Sequence, residues 1–291
     1  NLQFKYVMLF FQITFYSIYF LLFFSLLSKM KINFFWLLII FSPISFLYPI
    51  AELETLGRKD IFVITFFLIF SIINYKSLNI LLFSFILLFG LSSLIHEITI
   101  FYIFHYLFVF YIKNKFFIKQ QVNKKHLLIF FLFLAILLYL NLHLHNFVIV
   151  EDIVNSYDYE NFTTLSGSFS HISPSIDSVF LKTFNNINAA SIARYGFLIL
   201  INTIPFLYFV KIKKEYETRY LKSKNIFFIA ILLSIPLYLL IFDWGRLIYI
   251  NHNFLIIIII LIFNLDLVNI TYLQTKLKTL SKSIKIFSFI I

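Results

Sequence analysis

Residues 225–265 read NIFFIAILLSIPLYLLIFDWGRLIYINHNFLIIIIILIFNL, and in this stretch only Asp243 and Arg246 carry charge. A helix that crosses a bilayer needs about 20 predominantly apolar residues, and somewhat shorter ones are accommodated by local thinning. Residues 225–242 and 247–265 both meet that requirement. The stretch therefore reads as two spans joined by the tight polar connection Asp243-Trp244-Gly245-Arg246. Its apolar runs are continuous rather than alternating, which excludes barrel strands.

The same ruler applied outward gives nine candidate spans: 4–27, 32–50, 61–75, 78–95, 97–112, 126–144, 193–210, 225–242 and 247–265. The expected fold class is all-α, a polytopic integral membrane helical bundle forming one domain over residues 1–291. Composition agrees. Of 291 residues, 61% are hydrophobic and 13% charged, against roughly 45–50% and about 25% in soluble domains. Phe supplies 42 positions, which an AT-rich genome would also favour, so the clustering of apolar runs carries more weight than their amount. With no cysteine, disulfide frameworks, thiol catalysis and cysteine metal sites are excluded. No cleavable signal is evident, because Phe4 to Leu27 is too long for an h-region. The first residue is Asn1 rather than Met, so a preceding N-terminal piece is expected.

A net charge of +11 would suggest nucleic acid in a soluble protein, but here the basic residues sit between apolar runs. Alternate connections hold Lys29 and Lys31; Lys76; Lys113, Lys115, Lys119, Lys124 and Lys125; the Lys211–Lys224 block; and the Lys276–Lys285 block. These are eighteen of the 24 basic residues. The other connections hold ten of the 13 acids: Glu52, Glu54, Asp60, Glu97, Glu151, Asp152, Asp158, Glu160, Asp177 and Asp243. The positive-inside rule then places the basic loops and the C-terminus in the cytoplasm of a plasma (inner) membrane protein. One long extracytoplasmic loop, residues 145–191, is expected between spans six and seven. Loops of that length are usually functional or carry short helices. No internal repeat is visible, which weakens folds built from inverted repeats.

Three charged clusters then fall at the outer ends of spans: Leu56-Gly57-Arg58-Lys59-Asp60, His96-Glu97 and Asp243-Trp244-Gly245-Arg246. An ionisable group at membrane depth costs at least about 2.5–3.5 kcal/mol unless paired or hydrated. Glycine precedes both Arg58 and Arg246, suggesting guanidinium groups presented from constrained turns. Arginine suits bidentate binding of phosphate or diphosphate. Each cluster also has a plain structural account. Arg58 and Lys59 could snorkel to headgroups, Asp243 and Arg246 could pair at i, i+3, Trp244 could be an interfacial aromatic, and His96 could cap a helix. Metal chemistry lacks support: His96-Glu97 is not part of HExxH, and His143 and His145 point to different helix faces. No P-loop, GxGxxG or GxSxG is present.

LGRKD at 56–60, HE at 96–97, DWGR at 243–246 and the long outer loop together resemble the Wzy-type O-antigen and capsule polymerases, including EpsG-like members. The HE motif here is followed by Phe101 and Tyr102 but by no nearby proline, a departure from the family pattern. The resemblance implies metal- and cofactor-independent glycosyl transfer on the outer face, with polyprenyl-diphosphate-linked glycans as donor and acceptor. It implies diphosphate binding by Arg58 and Arg246, with Lys59 and Arg194 assisting. Glu97 or His96, or else Asp243, would be the general base, and Asp60 would orient Arg58. The expected partners are the bilayer and the lipid-linked glycans, not nucleic acid. Besides a non-catalytic assembly or scaffold protein, which the paired charged motifs disfavour, two alternatives stay open. One is a GT-C-type transferase using Glu52, Glu54 or Asp60 as base; the other is a flippase for lipid-linked oligosaccharide.

Overall fold

The computed structural model describes residues 2–28, 59–147, 188–209, 211–216 and 244–269, with 271, 272, 275 and 279. Among them the elements are helical, and the one extended pairing is an isolated bridge between Ile212 and Val268. The expected spans 32–50 and 225–242 lie outside the described residues, as does 148–187, most of the long loop.

Seven α-helices are described: α1 Leu2–Ser28, α2 Asp60–Ile72, α3 Leu78–Ile95, α4 Ile103–Lys113, α5 Lys124–Phe147, α6 Ala189–Phe209 and α7 Trp244–Asn264. Three segments are long and apolar enough to cross a membrane: Leu9–Ser28, Leu78–Ile95 and Trp244–Asn264. At about 1.5 Å per residue, the 21 residues of α7 match the roughly 30 Å hydrocarbon thickness.

Local chemistry sets the ends. Ser77 precedes α3 in extended conformation, and its hydroxyl accepts from Ile80 N at 3.4 Å. Asn123 caps α5, accepting from His126 N at 3.1 Å while His126 Nδ1 accepts from Asn123 N at 3.3 Å. This reciprocal pair satisfies amides that a helix start leaves without partners. A 3₁₀ segment, Glu97–Tyr102, links α3 to α4, and a π-turn over Asn114–Ile118 ends at Lys119 in the left-handed region.

The central element is α7: 89% of its apolar window is buried, against 22% for α1. Aromatic rings lock it to its neighbours. Phe254 of α7 stacks on Phe67 of α2 with ring centroids 4.1 Å apart and meets Tyr102 edge-on at 5.3 Å. Tyr106 of α4 lies 4.9 Å from Phe67. In lipid there is no hydrophobic drive between helices, so such packing and interhelical hydrogen bonds carry association. Gly90 contributes by absence: a Cβ there would meet the Phe133 ring of α5 at 3.3 Å. The outward faces of α1 and α5 expose Phe10, Ile13, Leu21, Leu128, Phe131 and Ile136, a lipid-like surface.

The two ends of the bundle differ chemically. One end gathers the starts of α2 and α7 and the end of α3. At the other, Lys113 Nζ donates to Ile73 O at 2.7 Å, Leu78 N to Gln120 Oε1 at 2.9 Å, and Asn264 Nδ2 to Leu26 O at 3.2 Å. Lys213 joins this basic end through a 2.6 Å ion pair with Asp266, whose hydrogen bond holds the ammonium above its usual range.

Candidate functional site

Asp60, His96 and Arg246 are far apart in the chain and converge at the first of these ends. Asp60 opens α2, where a carboxylate is favoured by the helix dipole. Arg246 sits in the first turn of α7. His96 breaks the chain between α3 and the 3₁₀ segment, with φ −144°. Its backbone is pinned from both sides: His96 N donates to Ser92 O at 2.9 Å, and Thr99 N donates to His96 O at 2.9 Å. Thr99 Oγ1 reaches back to Ser92 O at 3.2 Å. A hydroxyl residue on each side thus builds a sharp break that needs no polar loop.

The Arg246 guanidinium grips Asp60 through Nε, 2.8 and 2.7 Å from Oδ1 and Oδ2, and through Nη2, 2.7 Å from Oδ1. Arg246 Nη2 also contacts His96 Nε2 closely, and His96 Nε2 lies 3.3 Å from Asp60 Oδ1. Nε2 of His96 thus faces both the guanidinium and the carboxylate. Side-chain exposure is 6% for Asp60, 4% for His96 and 17% for Arg246. A lone carboxylate this buried would cost several kcal/mol; the bidentate cation offsets that cost. Arg246 is the most accessible of the three, so a ligand arriving from outside meets it first.

The remaining expected residues divide. Lys59 is exposed at the start of α2. Arg194 is exposed near the start of α6, at the same end of the bundle: its neighbour Tyr195 packs edge-on against Trp244, centroids 5.3 Å apart. No hydrogen bond or ion pair joins Lys59 or Arg194 to the cluster. Glu97 begins the 3₁₀ segment, and its side chain lies outside the described ones. Arg58 and Asp243 also lie outside the described residues, and with them the expected Arg58–Asp60 and Asp243–Arg246 pairings; Asp60 faces Arg246 and His96.

The tight-turn reading of Gly245-Arg246 is corrected. Both residues belong to α7, and among the described residues no glycine has positive φ. The α-helix begins with them because their carbonyls enter its hydrogen-bond ladder. Trp244, read as a possible interfacial aromatic, is buried at 8% exposure.

Sequence reading also passed over a polar band inside α7. Asn251, His252 and Asn253 are all buried, and Asn253 lies seven residues below Arg246, on the same face. Tyr19 of α1 donates to Asn253 Oδ1 at 3.1 Å, and Asn253 Nδ2 donates to Tyr249 O at 2.9 Å. The signal was present: three polar residues interrupt an otherwise apolar run at the middle of a span. Among the described residues no group of three His, Asp or Glu is arranged to hold a metal ion.

Compared with protein-family models, curated proteins and solved structures, the chain matches none.

Proposed function

We propose that this chain is a nine-span protein of the plasma membrane that transfers glycosyl groups between polyprenyl-diphosphate-linked glycans at its extracytoplasmic face, extending a surface polysaccharide. The observation carrying this reading is the meeting of Arg246, Asp60 and His96 at one end of an apolar bundle. In the reaction an acceptor hydroxyl attacks the donor's anomeric carbon. The carbon–oxygen bond to the diphosphate breaks, and the hydroxyl proton passes to a base. Charge builds on the departing diphosphate, which fixed cations stabilise. Arg246 fills that role, with Arg58, Lys59 and Arg194 as further cations. When Arg246 turns to the diphosphate, the Nε2 lone pair of His96 becomes available to take the proton. Glu97 and Asp243 are the other candidate bases. Asp60 holds the guanidinium in place between turnovers. The resemblance in LGRKD, HE and DWGR points to the same chemistry.

A specific observation favours a second reading. Asn251, His252 and Asn253 lie near the middle of α7, and transporters place substrate sites near the midplane. A flippase for lipid-linked oligosaccharide is therefore the competing assignment. Proteoliposomes loaded with a fluorescent polyprenyl-diphosphate glycan separate the two. Glycan lengthening by the wild type, lost in Arg246→Ala protein that still inserts, supports transfer. Movement of unlengthened glycan between leaflets supports transport, and polymer of wild-type length from Arg246→Ala contradicts the polymerase.

A further inference from the structure

The basic end of the bundle holds a groove between α3, α4 and α5 that the reaction chemistry does not use. Leu82 and Phe85 of α3, Leu107 and Phe110 of α4, and Leu127 and Phe130 of α5 form its walls, around a cavity of about 130 Å³. His126 is the one polar lining residue, and its Nε2 lies 2.9 Å from Asn79 Oδ1, bridging α5 to α3. The apolar walls ask for a hydrocarbon chain.

Charge at this end specifies the rest of the ligand. Lys124 and Lys125 immediately precede His126, and Lys119 lies three residues before the lining residue Val122. All three are exposed, and no carboxylate among the described residues pairs with them. Between residues 61 and 150 the sequence has a single acid, Glu97, which belongs to the opposite end. Unneutralised lysines beside an apolar slot between helices match an anionic headgroup with an attached chain. A zwitterionic lipid would bring its own cation against them.

We propose that this groove binds one acyl chain of an anionic phospholipid, with Lys124 and Lys125 holding its phosphate. The lipid wedges α5 against α3 and α4 from the leaflet facing the basic end. Because the groove lies at the other end from Arg246, this site stands or falls apart from the transfer reaction.

Native mass spectrometry of the full chain in mild detergent, titrated with phosphatidylglycerol or phosphatidylcholine, tests the assignment. One phosphatidylglycerol should bind about tenfold or more tightly than phosphatidylcholine. Each lysine near such a headgroup contributes on the order of a factor of five, so Lys124→Gln/Lys125→Gln should weaken binding about 25-fold. Leu127→Trp fills the slot while keeping both lysines and should lose phosphatidylglycerol comparably. Val122→Trp does so from the loop without altering a helix, so loss in both variants at unchanged gel-filtration elution reports blockage. Equal binding of the two lipids, or wild-type binding by both tryptophan variants, overturns the proposal.

Discussion

Arg246 and Asp60 are each costly to bury alone and stable together. Removing one partner of a buried pair leaves an uncompensated charge, at about 3–5 kcal/mol. Arg246→Gln should therefore lower unfolding stability by that amount in mixed micelles, and Asp60→Asn by a similar amount. A loss below about 1 kcal/mol, the range of exposed pairs, would mean that the cluster is solvated. The three members were legible as chemistry-bearing residues, because charge or imidazole at the end of an apolar run needs a reason. Their pairing was not. Asp60 and Arg246 stand 186 positions apart, whereas Arg58 is two residues from Asp60. Sequence offers the near partner and is silent about the far one.

At the scale of elements, hydropathy locates helices well and their ends less well. The run 78–95 coincides with α3. The run 97–112 does not start as an α-helix, because the Ser92 and Thr99 contacts around His96 impose a 3₁₀ entry that apolarity does not register. Helices α5 and α7 begin two and three residues before their apolar runs, since Lys124 and Trp244–Arg246 join the backbone ladder whatever their polarity. The Tyr19–Asn253 hydrogen bond is the sharpest test of how α1 is attached, because α1 is the least buried of the three segments long and apolar enough to cross a membrane. Interhelical hydrogen bonds in membranes average about 0.6 kcal/mol and reach about 1.7. Tyr19→Phe should cost that much in SDS-driven unfolding with the helix content of the folded state unchanged. A cost well above 2 kcal/mol would show that Tyr19 supports more than this bond.

For the whole molecule, the two ends of the bundle carry different sets of polar residues. Asp60, His96 and Arg246 assemble at one end, and Lys113, Lys119, Lys124, Lys125 and Lys213 collect at the other. The absence of cysteine makes the orientation directly measurable. In intact cells a membrane-impermeant maleimide should label Asn188→Cys, at the Arg246 end, and should reach Lys125→Cys only after permeabilisation. Labelling in the reverse order would invert the proposed orientation and put the cluster on the cytoplasmic face.

The central claim is that the Arg246–Asp60–His96 cluster performs chemistry and does not merely fasten helices. The double variant Asp60→Asn/Arg246→Gln tests it most directly, because it removes both charges and leaves no buried ion unpaired. Its unfolding stability should return to within about 1 kcal/mol of wild type, as coupled substitutions at a shared pair do. Its rate of glycan lengthening in proteoliposomes should stay at least about 100-fold below wild type, the scale of a lost transition-state donor. Lengthening at the wild-type rate by this restabilised double variant would contradict the account and leave the cluster as a structural clasp.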